Sequence, residues 1–333
     1  MIHATTLLLF FLTHVSFADS VTLRGEHSQT YQGVISSGSY DGLRFTIDGS
    51  GEGATLIPWS EVASFSSTRA RPSLEQFRKD GERLWRARLR LERGDLFLAE
   101  PVFEQICHES ALRDSHDARV AYEGYLRCLI ARGKISEAIQ PWLATARLEE
   151  LGIKSPYPNL PQIVDTDTLL CPYLPPIWIS NSSIPPLLNT FDDVQTPRLQ
   201  QVINQLLNVN MTGDANHAQS ILQMLNDIEH QNEPQNSKPW LDLWRLWFEA
   251  IAILESNNSN QRKNALLNLA IVASKGKNSQ PWLSCAAMYR LSDELNNDGK
   301  FESANQIIDD AKRSFPSHPL HHKDDFKIRN VLK

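Results

Sequence analysis

Apolar positions recur along this chain with two different periods. Before Ser67 they fall in short β-branched or aromatic runs at 21–23, 31–35, 43–47 and 55–57, separated by Gly25, Gly33, Gly38, Gly42 and the cluster Gly49, Gly51 and Gly53. Runs of that kind between glycines predict strands joined by tight turns. The stretch from Ile57 through Trp59 to Val62 predicts a brief helical turn at 60–62 and a last strand at 63–66. From Leu74 the period becomes helical. Phe77, Leu84, Ala87 and Leu91 mark a helix over 74–93, and Ala99, Phe103 and Ile106 mark another over 96–110. Tyr122, Tyr125, Leu126 and Leu129 place a third over 117–131, and Ala138, Trp142 and Ala146 a fourth over 135–151. Pro101 and Pro141 are expected in or near a first turn, where a missing amide costs little.

Regularity fails between Gly152 and Pro197, where nine prolines from Pro156 onward forbid sustained helix. Leu169, Leu170, Tyr173, Leu174, Ile177, Trp178, Ile179, Leu187 and Leu188 make the segment too apolar for a solvated linker. It is expected to run extended across the helices as cover, in a groove that would otherwise hold a peptide. Helical spacing returns with Leu199, Val202, Leu206 and Val209, and then with Ala218, Leu222 and Leu225; 226–238 is a polar loop. Trp240, Trp244, Trp247, Ile251 and Leu254, widened by Leu243, Leu246 and Phe248, predict a helix central to its array, with Ala265, Leu266, Leu269 and Val272 as partner. At that spacing the tryptophans suit a core better than a ligand platform.

Residues 282–316 hold the clearest unit. Met288, Leu291, Ser292 and Leu295 share one helix face, Gly299 breaks the chain, Phe301, Ala304, Ile308 and Ala311 share a second face, and Pro316 stops it. This order of bulky and small positions resembles a tetratricopeptide repeat, whose small residues let two helices approach while bulky ones fill the gaps. The turn-to-contact pattern, Gly or Asn followed five positions later by Ala, recurs at Gly94/Ala99, Gly133/Ala138, Gly213/Ala218, Asn260/Ala265 and Gly299/Ala304. Steps of 39, 80, 47 and 39 residues loosen the family period of about 34, and one copy is missing from the middle. The five strands with a helical turn before the last resemble SH3-like or Sm-like barrels. The resemblances imply an α+β multidomain chain, a small N-terminal β-barrel followed by an all-α helical-hairpin solenoid that binds a protein or peptide in a concave groove.

The amino terminus changes the picture of where the chain acts. Residues 5–17 are apolar but for Thr5, Thr6, Thr13, His14 and Ser16, and Ser16, Phe17 and Ala18 suit a signal peptidase, which predicts export with cleavage after Ala18. The departure is a start with no Lys or Arg. An uncleaved anchor or a buried first helix are the alternatives, although a span needs about 20 apolar residues. Export points to the periplasm or cell envelope of a bacterium, with no stable membrane span after cleavage. A net charge of -6 argues against unspecific nucleic-acid binding. The expected divisions are 1–18 signal peptide, 19–68 barrel, 74–151 first array, 152–197 Pro-rich segment, 198–316 second array and 317–333 tail.

Candidate chemistry is sparse. The helix over 74–93 carries Arg78, Lys79, Arg83, Arg86, Arg88, Arg90 and Arg93, a stripe in which Arg83, Arg86 and Arg90 are the candidate seat of an acidic partner. Residues 69–150 hold 15 Lys and Arg against 14 Asp and Glu, so local pairing to Glu75, Asp80, Glu82 and Glu92 is the stronger reading. The glycines at 49–53 suit a hairpin rather than a phosphate cradle, since no helix start or Lys follows. Trp59 suits the core of its small domain rather than an exposed platform. Cys107, Cys128, Cys171 and Cys285 contain no CxxC pair and are expected as free buried thiols, although an exported chain permits disulfides. His318, His321 and His322 with Asp324 and Asp325 invite a weak metal site, but their spacing fits no ligand pattern and a frayed tail is the expectation. No nucleophile, zinc, nucleotide or dinucleotide motif is present, and no catalytic residue, cofactor or metal is assigned. The expected function is an exported non-catalytic interaction scaffold of the cell envelope. The alternative is a cell-envelope enzyme or accessory subunit whose cleft the Pro-rich segment lines.

Overall fold

A computed structural model describes residues 19–25, 28–51, 53–68, 72–109, 114–175, 238–256 and 260–316, with the single positions 219, 222, 223, 225, 226, 318 and 321. The expected leader, the rest of the Pro-rich segment, the helix at 199–209, Ala218 and most of the tail lie outside them. The chain forms two compact units, 1–85 and 86–333. It is α+β: among the described residues an antiparallel five-stranded sheet is followed by eight helices.

The sheet is built from β1 (Asp19–Leu23), β2 (Thr30–Ser39), β3 (Gly42–Ile47), β4 (Thr55–Ile57) and β5 (Val62–Ser66), in the order β4-β3-β2-β1-β5. A 3-10 turn at Trp59–Glu61 precedes β5, one residue ahead of its expected place. Breaks in register at Ile35/Ser37 and Thr22/Leu23 bend the strands, as bulges do. The expected closure into a barrel is not shown, since no ladder joins β4 to β5 among the described residues. Alternation along the strands sends Val21, Ile35, Leu43, Phe45 and Val62 inward, where they meet Ile57, Trp59 and Leu74. Trp59 is core, as expected, and its indole N–H donates to the Ser39 carbonyl at 2.6 Å. Asp19 ties the strands together by accepting from the Ile35 and Thr68 amides at 3.0 and 2.7 Å. Burial pushes its pKa up, but those bonds outweigh burial and hold it below the usual value. Helix α1 (Pro72–Glu92) packs on this core through Leu74 and Phe77. It comes so close at Gly81 that a Cβ there would lie 2.3 Å from the Trp59 carbonyl.

The second unit contains α2 (Leu96–Glu109), α3 (His116–Ala131), α4 (Ile135–Glu150), α5 (Pro239–Glu255), α6 (Arg262–Ser279), α7 (Pro281–Asn297) and α8 (Phe301–Ser314). Packing is sequential: α2 on α3, α3 on α4, α5 on α6, α6 on α7 and α7 on α8. Helices α1, α3, α4 and α7 end alike. Gly94, Gly133, Gly152 and Gly299 take positive φ, each amide bonds back three residues, and the next amide bonds back five. That is the Schellman ending, which glycine permits because it has no Cβ to clash. The alanines of the sequence pattern, Ala99, Ala138, Ala265 and Ala304, are all fully buried. At the last of them the Ser292 hydroxyl donates to the Ala304 carbonyl at 3.0 Å, so the two helices touch through small residues.

Two expectations for these helices fail. Pro101 and Pro141 are the sixth and seventh residues of α2 and α4, past the first turn, so each removes a ladder hydrogen bond. The carbonyls four residues back belong to the exposed residues Phe97 and Glu137, at the solvent side of the helices. Phe301 does not share the buried face of α8: it is 64% exposed, and only Ala304 and Ala311 of that helix are buried.

Residues 152–175 form turns rather than an extended strand, but they are cover, as expected. Tyr157, Ile163, Val164, Leu169, Leu170 and Cys171 are buried. The Trp142 indole donates to the Leu169 carbonyl at 3.0 Å, and Lys238 reaches Asp165 and Asp167 at 2.6 and 2.8 Å. These contacts fasten the segment to α4 on one side and to the start of α5 on the other.

Candidate functional site

Three residues of the expected basic stripe pair along their own helix. Arg78 bonds Glu75 at 2.7 Å and Glu82 at 3.0 Å, Arg88 meets Glu92 at 3.3 Å, and Arg83 lies 3.6 Å from Asp80. Arg90 donates to the Leu98 carbonyl at 3.3 Å, and Arg86 is exposed. Pairs at this spacing on a wet helix face are a local feature, worth tenths of a kcal/mol each.

The densest charge is elsewhere, where the hydrophobic pattern gave no sign of it. Arg119 and Glu123, one turn apart on α3, are 1% and 0% exposed. The Arg119 guanidinium donates to Glu123 at 2.8 Å, to the Thr145 carbonyl at 2.8 Å and to Glu149 at 2.5 Å. Glu123 also accepts from Arg127 at 2.6 Å and from the Ser155 hydroxyl at 2.8 Å. Arg127 in turn donates to the Pro161 carbonyl at 2.9 Å and lies over the Tyr157 ring, and the Tyr157 hydroxyl donates to the Val120 carbonyl at 2.8 Å. Burial pushes that phenol well above its usual value, so it stays a donor. Buried charges survive when their polar atoms are paired, and the cluster's buried side-chain nitrogens and oxygens all find partners on α3, α4 and the covering segment. It is an internal clamp between α3, α4 and the covering segment.

The cysteines are free, and burial pushes Cys128, Cys171 and Cys285 up to about 12 and Cys107 higher still. Thiols held this far from the thiolate are poor nucleophiles. Among the described residues no group of three or more His, Cys, Asp or Glu side chains converges on a metal position, and no described helix is long and apolar enough to cross a membrane.

A concavity of about 300 Å³ is built where three helix ends meet. The end of α3 and the turn after it supply Ile130, Ala131, Arg132 and Gly133; the start of α7 supplies Gln280, Pro281 and Trp282; the residues after α8 supply Phe315, Pro316 and His318; Tyr173 completes the lining. Its walls are aromatic and apolar. Gly133 both turns the chain, at φ +73, and lets it pass Trp282, because a Cβ there would lie 2.4 Å from the indole. Arg132 and Lys134 share the buried Glu100 carboxylate at 2.8 and 3.0 Å, which fixes the polar rim.

His318 and His321 are not frayed. The His318 ring is 4% exposed and lies 4.1 Å from the Trp282 indole. Burial, followed by the nearby His321, pushes His318 down to about 3, against a hydrogen bond to the Trp282 backbone that acts the other way. His321 is held at both ring nitrogens, Nε2 to the Phe315 carbonyl at 2.6 Å and Nδ1 to the Tyr289 hydroxyl at 2.8 Å. A carbonyl only accepts, so Nε2 carries the proton and Nδ1 accepts from the phenol in the neutral ring. His322, Asp324 and Asp325 lie outside the described residues.

None of the lining residues belongs to the stripe expected from sequence. Trp282 and Pro316 enter the sequence reading only as a unit start and a helix stop. No local signal marks a cleft made by residues 130–133, 173, 280–282 and 315–318, because only the packing of three helix ends brings them together. No family model, curated protein or solved structure matches the chain.

Proposed function

We propose that this chain is an exported, non-catalytic binding scaffold of the cell envelope. Its sheet unit is an SH3-like or Sm-like module, its helices are tetratricopeptide-like hairpins, and it holds an apolar segment of a protein partner in the cleft beside Trp282. The observation that carries the reading is the lining itself. Tyr173, Trp282 and Phe315 alternate with Pro281 and Pro316 around a cavity at the small end of ligand-pocket volumes, which suits one or two anchoring side chains. Rigid aromatic walls with a polar rim are the surface on which extended peptides dock. The full burial of Ala99, Ala138, Ala265 and Ala304, each five residues after a turn residue, supports the repeat reading, because a small residue there lets helices approach closely. The charged groups at the rim are paired, and this supports binding over acid and base chemistry.

The test is selection of a displayed random-peptide library on the mature full-length chain, followed by affinity measurement by fluorescence polarisation. Peptides carrying apolar or aromatic anchors are expected, with Trp282→Ala weakening them at least tenfold and the pair Arg86→Glu and Arg90→Glu leaving them unchanged. Peptides indifferent to Trp282→Ala but lost with the arginine pair would move the site to the basic stripe and end the cleft reading.

A further inference from the structure

Two polar residues of the cleft beside Trp282 hold donors that lack a matching acceptor. Gln280 joins α6 to α7 and is 2% exposed. Its side-chain oxygen accepts from the buried Trp244 indole at 3.3 Å, and because an indole N–H only donates, that contact fixes which end of the carboxamide is which. The Nε2 end meets no acceptor among the described residues and does not cap α7. It is not sealed in, and the space that Gln280 lines is the cleft. A donor so nearly withdrawn from water is destabilising until it finds an acceptor. Arg132, after α3, gives Nη1 to the buried Glu100 at 2.8 Å and its remaining N–H groups to no acceptor among the described residues. Lys134 takes the other oxygen of that carboxylate at 3.0 Å and lies 3.5 Å from Glu137, which leaves the Arg132 guanidinium, 46% exposed, as the under-matched cation. None of the described lining residues is acidic. The cleft also receives the first turn of α7, which has no side-chain cap, and the start of a helix carries partial positive charge.

We infer that the cleft reads acidic apolar segments: an apolar side chain enters beside Trp282, Gln280 Nε2 donates to a main-chain carbonyl of the segment, and Arg132 pairs with the carboxylate of an Asp or Glu flanking the anchor. This rests on the cleft reading and adds the chemistry of the occupant. Apolar walls alone accept any apolar side chain and discriminate little. The donors supply the discrimination, because a guanidinium matches a carboxylate with parallel N–H groups and, with the helix start, repels a basic flank. An extended segment offers all three features at once, since its side chains alternate while its carbonyls stay free to accept. A free anion would match Arg132 and leave the aromatic walls empty, and an uncharged segment would fill the walls and leave Arg132 unused. A half-exposed pair shifts affinity about two- to fivefold, less than a buried anchor does, so the acidic flank sets preference and the anchor sets strength.

The random-peptide library, displayed internally so that no free terminus is presented, is selected on the mature full-length chain and on Arg132→Glu. The wild-type chain should return Asp or Glu beside an aromatic or aliphatic anchor, and the variant should return Lys or Arg there. Fluorescence polarisation with blocked synthetic copies of the wild-type selectants gives the sizes. Replacing the flanking Glu by Gln in the peptide should weaken binding about two- to fivefold in low salt and hardly at all in high salt. That difference should vanish on Arg132→Gln, whereas an arginine with a structural role alone would weaken both peptides alike. Gln280→Met fills the same volume without a donor and should weaken every selectant about three- to tenfold. Gln280→Glu, which still accepts from Trp244, serves where the Met variant misfolds. Selectants lost with Trp282→Ala that carry no acidic flank, or acidic ones indifferent to Arg132→Gln and to the folded Gln280 variant, overturn the inference and leave the cleft standing. Selectants indifferent to Trp282→Ala remove the cleft and the acidic flank together.

Discussion

Replacing Glu123 by Ala removes the acceptor on which the buried clamp turns. Its carboxylate takes hydrogen bonds from Arg119 at 2.8 Å, Arg127 at 2.6 Å and Ser155 at 2.8 Å, and it is fully buried. Arg119 cannot swing out to water, being 1% exposed, and would keep only Glu149 and the Thr145 carbonyl. Removing one partner of a buried pair costs about 3–5 kcal/mol, chiefly because the other charge stays desolvated. A typical domain has about 5–15 kcal/mol of stability, so a large part of it is at stake. Urea unfolding followed by far-ultraviolet circular dichroism, which the helices of the second unit dominate, gives the loss as a midpoint shift at constant slope. Adding Arg119→Met should recover part of it, since the double variant no longer strands the Arg119 guanidinium and only Arg127 and Glu149, each less deeply buried, lose a partner; the coupling in the cycle should exceed about 1 kcal/mol. A loss below about 1 kcal/mol for Glu123→Ala, or strict additivity with Arg119→Met, would refute the view that these charges hold each other in place.

Gly133→Ala should destabilise by more than Gly299→Ala. Both sit at positive φ, which costs an alanine about 1–2 kcal/mol, but only the first would push a Cβ against Trp282; equal losses in urea would remove that contact from the account. Asp19→Asn should weaken the sheet unit at neutral pH by removing a carboxylate whose pKa is depressed. That contribution is present above the unfolded value of 3.8 and is lost as pH falls through the lower folded value. The stability gap between wild type and variant, measured by thermal melts across that range, should therefore narrow in acid, and a gap independent of pH would refute it.

Local geometry was legible wherever a residue acts through its own backbone or its neighbours one turn away. The glycines at 94, 133 and 299 mark helix ends in the sequence because positive φ suits a residue without a side chain, and the structure places them there. The alanines five residues on were readable for the same reason, since close helix contact leaves room for little else. Trp59 was readable as core because so small a sheet has few other ways to cover its centre.

What the chain settled on its own is thus the order of strands and helices and the turns between them, which follow from periodicity and from the conformational limits of glycine and proline. Depth was decided by the fold. Arg119 and Glu123 have the spacing of a surface ion pair, and only α4 and the segment at 152–175 closing over them turn it into a clamp. Phe301 has the spacing of a core residue, and it is exposed because none of the described elements covers it. The cleft belongs to the tertiary structure altogether, because burial and proximity are properties of distant segments meeting, and no window of sequence holds Gly133, Tyr173, Trp282 and His318 together.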